Sequence, residues 1–222
     1  MSLKFLAFLG SVRDSEPPAP PRLGLRVARA CVQHVREHQP DHSVELIDPL
    51  ECDLGTVFKP HFAYARGKAP APLQTLAEKI TEADGYLMVS PEYNHSMSPA
   101  LAHLLNHFGS SLFSWKPSVI VTYSAGQWGG ARAAVAMRTF LSELGCLPVS
   151  AMVQVPRAQE VFTEDGGFAE GVEGEAWSGY LDRGLAQLEW WADAAARHRE
   201  KVDPQRRIGA FRSSPAQRNA PD

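Results

Sequence analysis

Three short segments carry residue types that suit a phosphate and a flat heterocycle. The first, Gly10-Ser11-Val12-Arg13, offers a turn-permitting glycine, a hydroxyl donor and a fixed guanidinium. Arg22, at the start of the helical segment that follows, adds a second fixed positive charge. Backbone N–H groups and the positive dipole end of that helix would serve the same anion. Taken alone, these residues read equally well as a plain strand–helix turn with surface arginines. The second segment runs Pro91-Glu92-Tyr93-Asn94-His95-Ser96-Met97-Ser98-Pro99. Its backbone amides can meet the polar edge of a heterocycle while Tyr93 borders the ring. Ser98 is also placed to cap a helix that starts at Pro99. The third segment is Ser124-Ala125-Gly126-Gln127-Trp128-Gly129-Gly130-Ala131. Its three glycines would let backbone approach a flat ligand where a Cβ would collide.

Other chemistries are poorly served. No G-x-G-x-x-G fingerprint, Walker loop or G-x-S-x-G nucleophile turn occurs. His103 and His107 stand i, i+4 like metal ligands, but Leu104-Leu105-Asn106 between them lacks the glutamate of a zinc protease. Cys31, Cys52 and Cys146 form no C-x-x-C pair and signal neither a disulfide framework nor a zinc site. Reduced single thiols and a cytoplasmic location are the expectation.

The elements that would position the three segments alternate. Leu3–Leu9, Ser43–Asp48, Gly85–Ser90, Ser118–Ser124 and Leu147–Val155 read as strands, the first, third and fourth as buried ones. Helices are expected at Arg22–His38, Leu73–Glu82, Pro99–Phe108, Gly129–Leu144 and about Glu175–Glu200. In the first, Leu25, Ala28, Val32 and Val35 form the inward stripe. This rhythm predicts an α/β, three-layer, doubly wound parallel sheet of order 2-1-3-4-5, flavodoxin-like, in a single domain over 1–200. Ligands of such sheets lie outside the C-terminal strand ends, where the three segments fall. The polar chain from Lys201 onward reads as a disordered tail.

The charge of -3 and the 44% hydrophobic content fit a soluble core-forming chain and speak against nucleic acid as a partner. The apolar runs are strand-sized, too short to span a membrane. The N-terminal apolar stretch reads as a first strand rather than a signal peptide. The connection Pro49–Pro72 is long and carries Phe58, Phe62 and Tyr64, which suggests a wall at the site entrance, with packing against the second strand as the alternative.

The residues GSVR at Gly10–Arg13, PEYNHSMSPAL at Pro91–Leu101 and SAGQWGGARA at Ser124–Ala133 resemble the NADPH-dependent FMN reductase family. That resemblance covers roughly Leu3 to Val155 and implies an FMN cofactor with NADPH or NADH as electron donor. It implies that Ser11 and Arg13 hold the FMN phosphate, with Arg22 or Ser15 as a further contact across the insertion Asp14–Pro21. It implies that Pro91, Glu92, Tyr93, Asn94 and His95 line one side of the isoalloxazine, and Ser124, Ala125, Gly126 and Gln127 the other. The flavin would then carry the chemistry, which accounts for the missing catalytic dyad. The implied activity is electron transfer to quinones, flavins or similar small acceptors. A non-catalytic FMN-binding redox sensor acting on a protein partner is the alternative. Relatives often pair, so a homodimer, or a tetramer, is expected. Its interface would be the helix Pro99–Phe108, whose apolar residues surround much of its circumference, with the chain around Trp115.

Overall fold

A computed structural model describes residues 1–13, 15, 18 and 21–204. Five strands, β1 (Lys4–Leu9), β2 (Ser43–Ile47), β3 (Gly85–Pro91), β4 (Pro117–Tyr123) and β5 (Leu147–Val155), form one parallel sheet ordered β2-β1-β3-β4-β5. The expected doubly wound topology is therefore present, with its switch point between β1 and β3. Side chains of β1 alternate between the two faces. Phe5, Ala7 and Leu9 join the core under α1 (Leu23–His38) and α7 (Gly174–Lys201). Leu6 and Phe8 join the core under α2 (Ala71–Glu82), α3 (Pro99–Asn106) and α5 (Ala131–Glu143). Every residue of β4 is buried, as a strand covered on both faces requires.

Two short helices, α4 (Ser110–Phe113) and α6 (Ala158–Val161), were not legible in the sequence. Each is about one turn, too short to show a period. The tail expected from Lys201 falls almost wholly on residues 205–222, outside the described residues, while α7 itself extends to Lys201.

Two expectations are corrected. The buried stripe of α1 is wider than Leu25, Ala28, Val32 and Val35. It takes in Val27, Ala30, Cys31 and His34, while Leu25 is only half-buried. The reason is a second covering surface: His34 meets Asp182 of α7, and the Gln33 amide donates to the Asp165 carbonyl. The apolar circumference of α3 is likewise covered within one chain. Leu101, Leu104, Leu105 and Phe108 are all buried, each leucine contributing roughly 1.5–3 kcal/mol, and only Ala100 and Ala102 remain half-exposed.

What covers α3 includes the long connection after β2. Phe58 packs against the His107 ring at 4.7 Å between centroids, and the His61 N–H donates to the His107 carbonyl at 2.7 Å. Phe62 and Tyr64 line a cavity of about 390 Å³ with His61, Gln74 and Gly109. That cavity shares no residue with the three candidate segments. Within one chain the aromatic connection thus lies along the α2–α3 flank, not over the strand ends as expected.

Candidate functional site

The candidate site is the rim formed by the chain leaving β1, β3 and β4. Gly10 sits where β1 and β3 part. Its N–H donates to the Val89 carbonyl at 2.7 Å, and a Cβ there would lie 2.8 Å from Ser98 Oγ and 2.9 Å from the Val89 oxygen. Only glycine lets these two strand ends close up this tightly. Ser98 caps α3 as its sequence position predicts, accepting from the Leu101 N–H at 3.1 Å.

Beyond Gly10, Ser11 is buried and Arg13 exposed. The Tyr123 hydroxyl, at the end of β4, lies close to Ser11. Burial, together with nearby Tyr93, pushes the Tyr123 phenol far above its ordinary range, although Ser11, Arg13 and Arg22 oppose the shift. The phenol is therefore a neutral hydrogen-bonding group at any physiological pH. Tyr123 was not singled out in the sequence. Its signal was its position, immediately ahead of Ser124.

Arg22 is a correction to the sequence reading. Its guanidinium is buried and turned inward, donating to both carboxylate oxygens of Asp48 and to the Ser11 carbonyl. Its charge is thus matched by Asp48, at the end of β2, instead of standing free for an anion. Ser15 is also committed, its hydroxyl oxygen accepting from the Arg22 N–H at 3.2 Å. Of the two arginines, Arg13 alone presents an exposed side chain at the rim. Asp48 was missed in the sequence, where it read as the last residue of a strand.

The segment after β3 is a tight hairpin. Tyr93 and Ser96 exchange N–H···O bonds of 2.9 Å in both directions. Asn94 and His95 between them have φ of 49° and 62°, the signs of a type I′ turn. Asn tolerates that conformation, whereas at His95 it costs about 1–3 kcal/mol. Tyr93, Asn94 and His95 are exposed at the tip.

Glu92 turns away from that tip. Its carboxylate accepts from the N–H groups of Arg132 and Ala133 at 3.1 and 3.2 Å, and from the Arg132 guanidinium at 3.3 Å. It therefore caps α5 and ties the loop after β3 to the helix that follows β4. Slight burial opposes ionisation, but these donors outweigh it and hold the carboxyl below the ordinary range. With its side chain engaged at the start of α5, any part Glu92 plays toward a ring is left to its backbone.

The three glycines after β4 do different work. Gly129 and Gly130 have φ of 58° and 75°, and added Cβ atoms would meet Pro156 N at 3.0 Å and Thr122 Cβ at 2.8 Å. They form the turn into α5. At Gly126 a Cβ would find nothing within 4 Å, so here alone the backbone borders open space. The loop is otherwise fastened. Ser124 Oγ accepts from the Gly129 N–H, the Gly126 carbonyl accepts from the Arg157 N–H, and the Ala125 carbonyl accepts from Gln159. Gln127 and Trp128 are exposed on its outer side.

The geometry fits a monophosphate-bearing flat group. An exposed guanidinium stands beside the end of β1, and two braced loops end in exposed backbone on either side of the next two strands. Among the described residues no group of three His, Cys, Asp or Glu could hold a metal ion, and His103 and His107 pack against Phe58 instead. No described helix is long and apolar enough to cross a membrane.

The chain is similar to several known proteins. The chain is 34% identical over 131 residues to an NAD(P)H-dependent FMN reductase, PA1204, of Pseudomonas aeruginosa, covering 57% of this chain and 68% of that one. It is 39% identical over 75 residues to a quinone reductase of Escherichia coli, covering 32% of this chain and 40% of the relative. Among solved structures, the flavoenzyme NAD(P)H:(acceptor) oxidoreductase FerB of Paracoccus denitrificans superposes with a TM-score of 0.63 at 18% identity. That match covers 84% of this chain and 97% of FerB, and it bears on the fold. Residues 3–160 match the family model for NADPH-dependent FMN reductases, and the chain belongs to that family.

Proposed function

We propose that the chain passes electrons from NAD(P)H, by way of FMN, to a quinone, a flavin or a similar small acceptor at the rim of β1, β3 and β4. FMN, when bound, supplies the redox chemistry. The protein's own residues bind and orient. Arg13 and the N–H groups after Gly10 hold the phosphate, and buried Ser11, close to Tyr123, sets the floor beneath it. The hairpin Pro91–Ser96 and the loop Ser124–Gln127 border the ring with fixed amide dipoles, which need no reorganisation as charge develops. The observation that carries this reading is the Glu92 bridge, which ties the chain after β3 to the start of α5, directly after the loop that holds Gly126.

FMN rather than FAD is supported by the family match, with the exposed Arg13 placed for a terminal monophosphate. The relatives' names support the enzyme over a redox-sensing binder. A homodimer is part of the proposal. Its support is Phe58 and Phe62, 52% and 59% exposed along the α3 flank, rather than α3 itself. Three free cysteines, two of them buried, support a cytoplasmic location.

The test is an absorption spectrum of the purified protein, then NADPH and NADH oxidation with and without a quinone. Arg13→Ala should weaken FMN binding by about 1.5–3 kcal/mol, the loss typical of a hydrogen bond to a charged group, in a fluorescence titration. Unchanged affinity removes Arg13 from the site. Bound flavin without nicotinamide oxidation would sink the enzyme reading. Sedimentation equilibrium at a single-chain mass with FMN present would sink the dimer.

A further inference from the structure

Beside the rim, on the β5 side of the loop after β4, lies a second cavity of about 440 Å³. Its walls are Trp128, Trp177, Tyr180 and Pro156, and its polar lining comes from Gln127 and Gln154. The rings are held in place. Trp177 and Tyr180 stand edge-on at 5.6 Å between centroids, and Phe162 meets Trp177 edge-on from the core at 5.9 Å. The Tyr180 hydroxyl accepts from the Gln154 N–H of β5 at 3.1 Å. Arg132 lies over Trp128 at 5.4 Å and Arg183 over Tyr180 at 5.7 Å, so each ring has one face taken by a guanidinium. The Arg132 charge is itself paired with Glu92.

We infer that this cavity is a subsite for an uncharged, planar, fused-ring molecule, and that it receives the outer rings of acceptors larger than one ring. Three features select that class. The walls are aromatic and preorganised, and flat rings stack on such walls for about 0.5–1.5 kcal/mol per pair beyond their area. None of the seven lining residues carries a charge at neutral pH, and the two nearby guanidiniums lie against Trp128 and Tyr180, so the walls themselves offer an ionic ligand no charged partner. The volume lies within the range of small-molecule sites, roughly 300–1,000 Å³. Gln127 links the cavity to the rim, because it lines the cavity and belongs to the loop proposed to border the ring. The role toward acceptors rests on the function proposed above, whereas the binding of a fused-ring molecule does not.

The two are separated by filling the cavity. Ala176 lines it from the exposed start of α7 and belongs to neither the rim loops nor the core. Ala176→Phe should lower kcat/KM for phenanthrenequinone about tenfold, equivalent to about 1.4 kcal/mol, and leave that for benzoquinone within about twofold. Equal loss for both quinones, or no loss for either, overturns the acceptor role. In a second arm, flavin-free protein is titrated with phenanthrenequinone while tryptophan fluorescence is followed. Saturable quenching that Ala176→Phe weakens supports the subsite, and quenching that is absent or unchanged by the variant overturns it. If the protein proves to bind no FMN, the function proposed above falls while this second arm still decides the cavity.

Discussion

The rim of β1, β3 and β4 and the α2–α3 flank under the Pro49–Pro72 connection both looked functional in the sequence, and they are built in opposite ways. At the rim, side chains bind backbone: Glu92 holds the start of α5, Ser124 holds Gly129, Ser98 holds α3, and Arg22 holds the chain at Ser11. The polar groups are spent on fixing loops, and exposed main chain is left at the edge. On the flank, rings pack on rings. Phe58 covers His103 and His107, and Lys59 sits over Tyr64 at 4.1 Å. Polar satisfaction is poorer there, since the buried Nε2 of His107 has no hydrogen-bond partner. A braced loop edge suits a ligand held at fixed distances, whereas a ring-packed flank suits burial against another surface.

That contrast breaks first at Arg22. If the buried Arg22–Asp48 pair braces the rim, Arg22→Met should cost about 3–5 kcal/mol in urea unfolding by stranding the Asp48 carboxylate. Adding Asp48→Leu should recover most of that loss. A cost below about 1 kcal/mol for the single variant would mean that the pair carries little of the rim's order.

Glu92→Ala should cost about 1–2 kcal/mol, the usual loss at a helix N-cap, and should also weaken FMN binding. A variant as unstable as expected but with unchanged FMN affinity would show that the bridge serves α5 alone.

The flank should announce itself in acid. Burial, with His103 beside it, holds the His107 imidazole below its ordinary value of 6.5, despite the His103 carbonyl accepting from its Nδ1–H. The unfolded chain then takes up a proton that the folded chain refuses. The resulting stability is complete above about pH 6.5 and drains as pH falls toward the folded value. His107→Leu should flatten the stability profile between about pH 7 and 5. Some slope should persist, because burial and the stacked His38 lower His34 in the same direction. An unchanged profile would place the whole acid limb elsewhere.

Least of all should come from Phe62→Ala with Tyr64→Ala. Phe62 is largely exposed, and the pair should change stability by under about 1 kcal/mol. Relative rates among quinones should shift only at concentrations where two chains associate, since within one chain these rings share no cavity with the rim. A shift in dilute, single-chain protein would bring the flank into the site after all.

The sheet order, the five long helices and the location of the rim were all legible from periodicity, because buried parallel strands and amphipathic helices leave continuous signals. Gly10 and Ser98 were also readable, since each is dictated by backbone local to it. The roles of Arg22 and Glu92 were not. Both carry charges that fit a ligand equally well, and only their partners, Asp48 26 residues on and Arg132 40 residues on, decide that they brace instead. The three glycines after β4 look alike in sequence. Their division into two turn-formers and one bordering open space depends on Thr122 and Pro156. The aromatic connection was misplaced for the same reason: ring content predicts packing, but the surface it packs on is chosen by α3. Sequence determined which elements form and where the chain must turn, because those are short-range consequences of side-chain period and backbone sterics. Tertiary structure alone decided which charges are spent and which remain exposed, because a guanidinium or carboxylate has no fixed partner until distant strands bring one within about 3 Å.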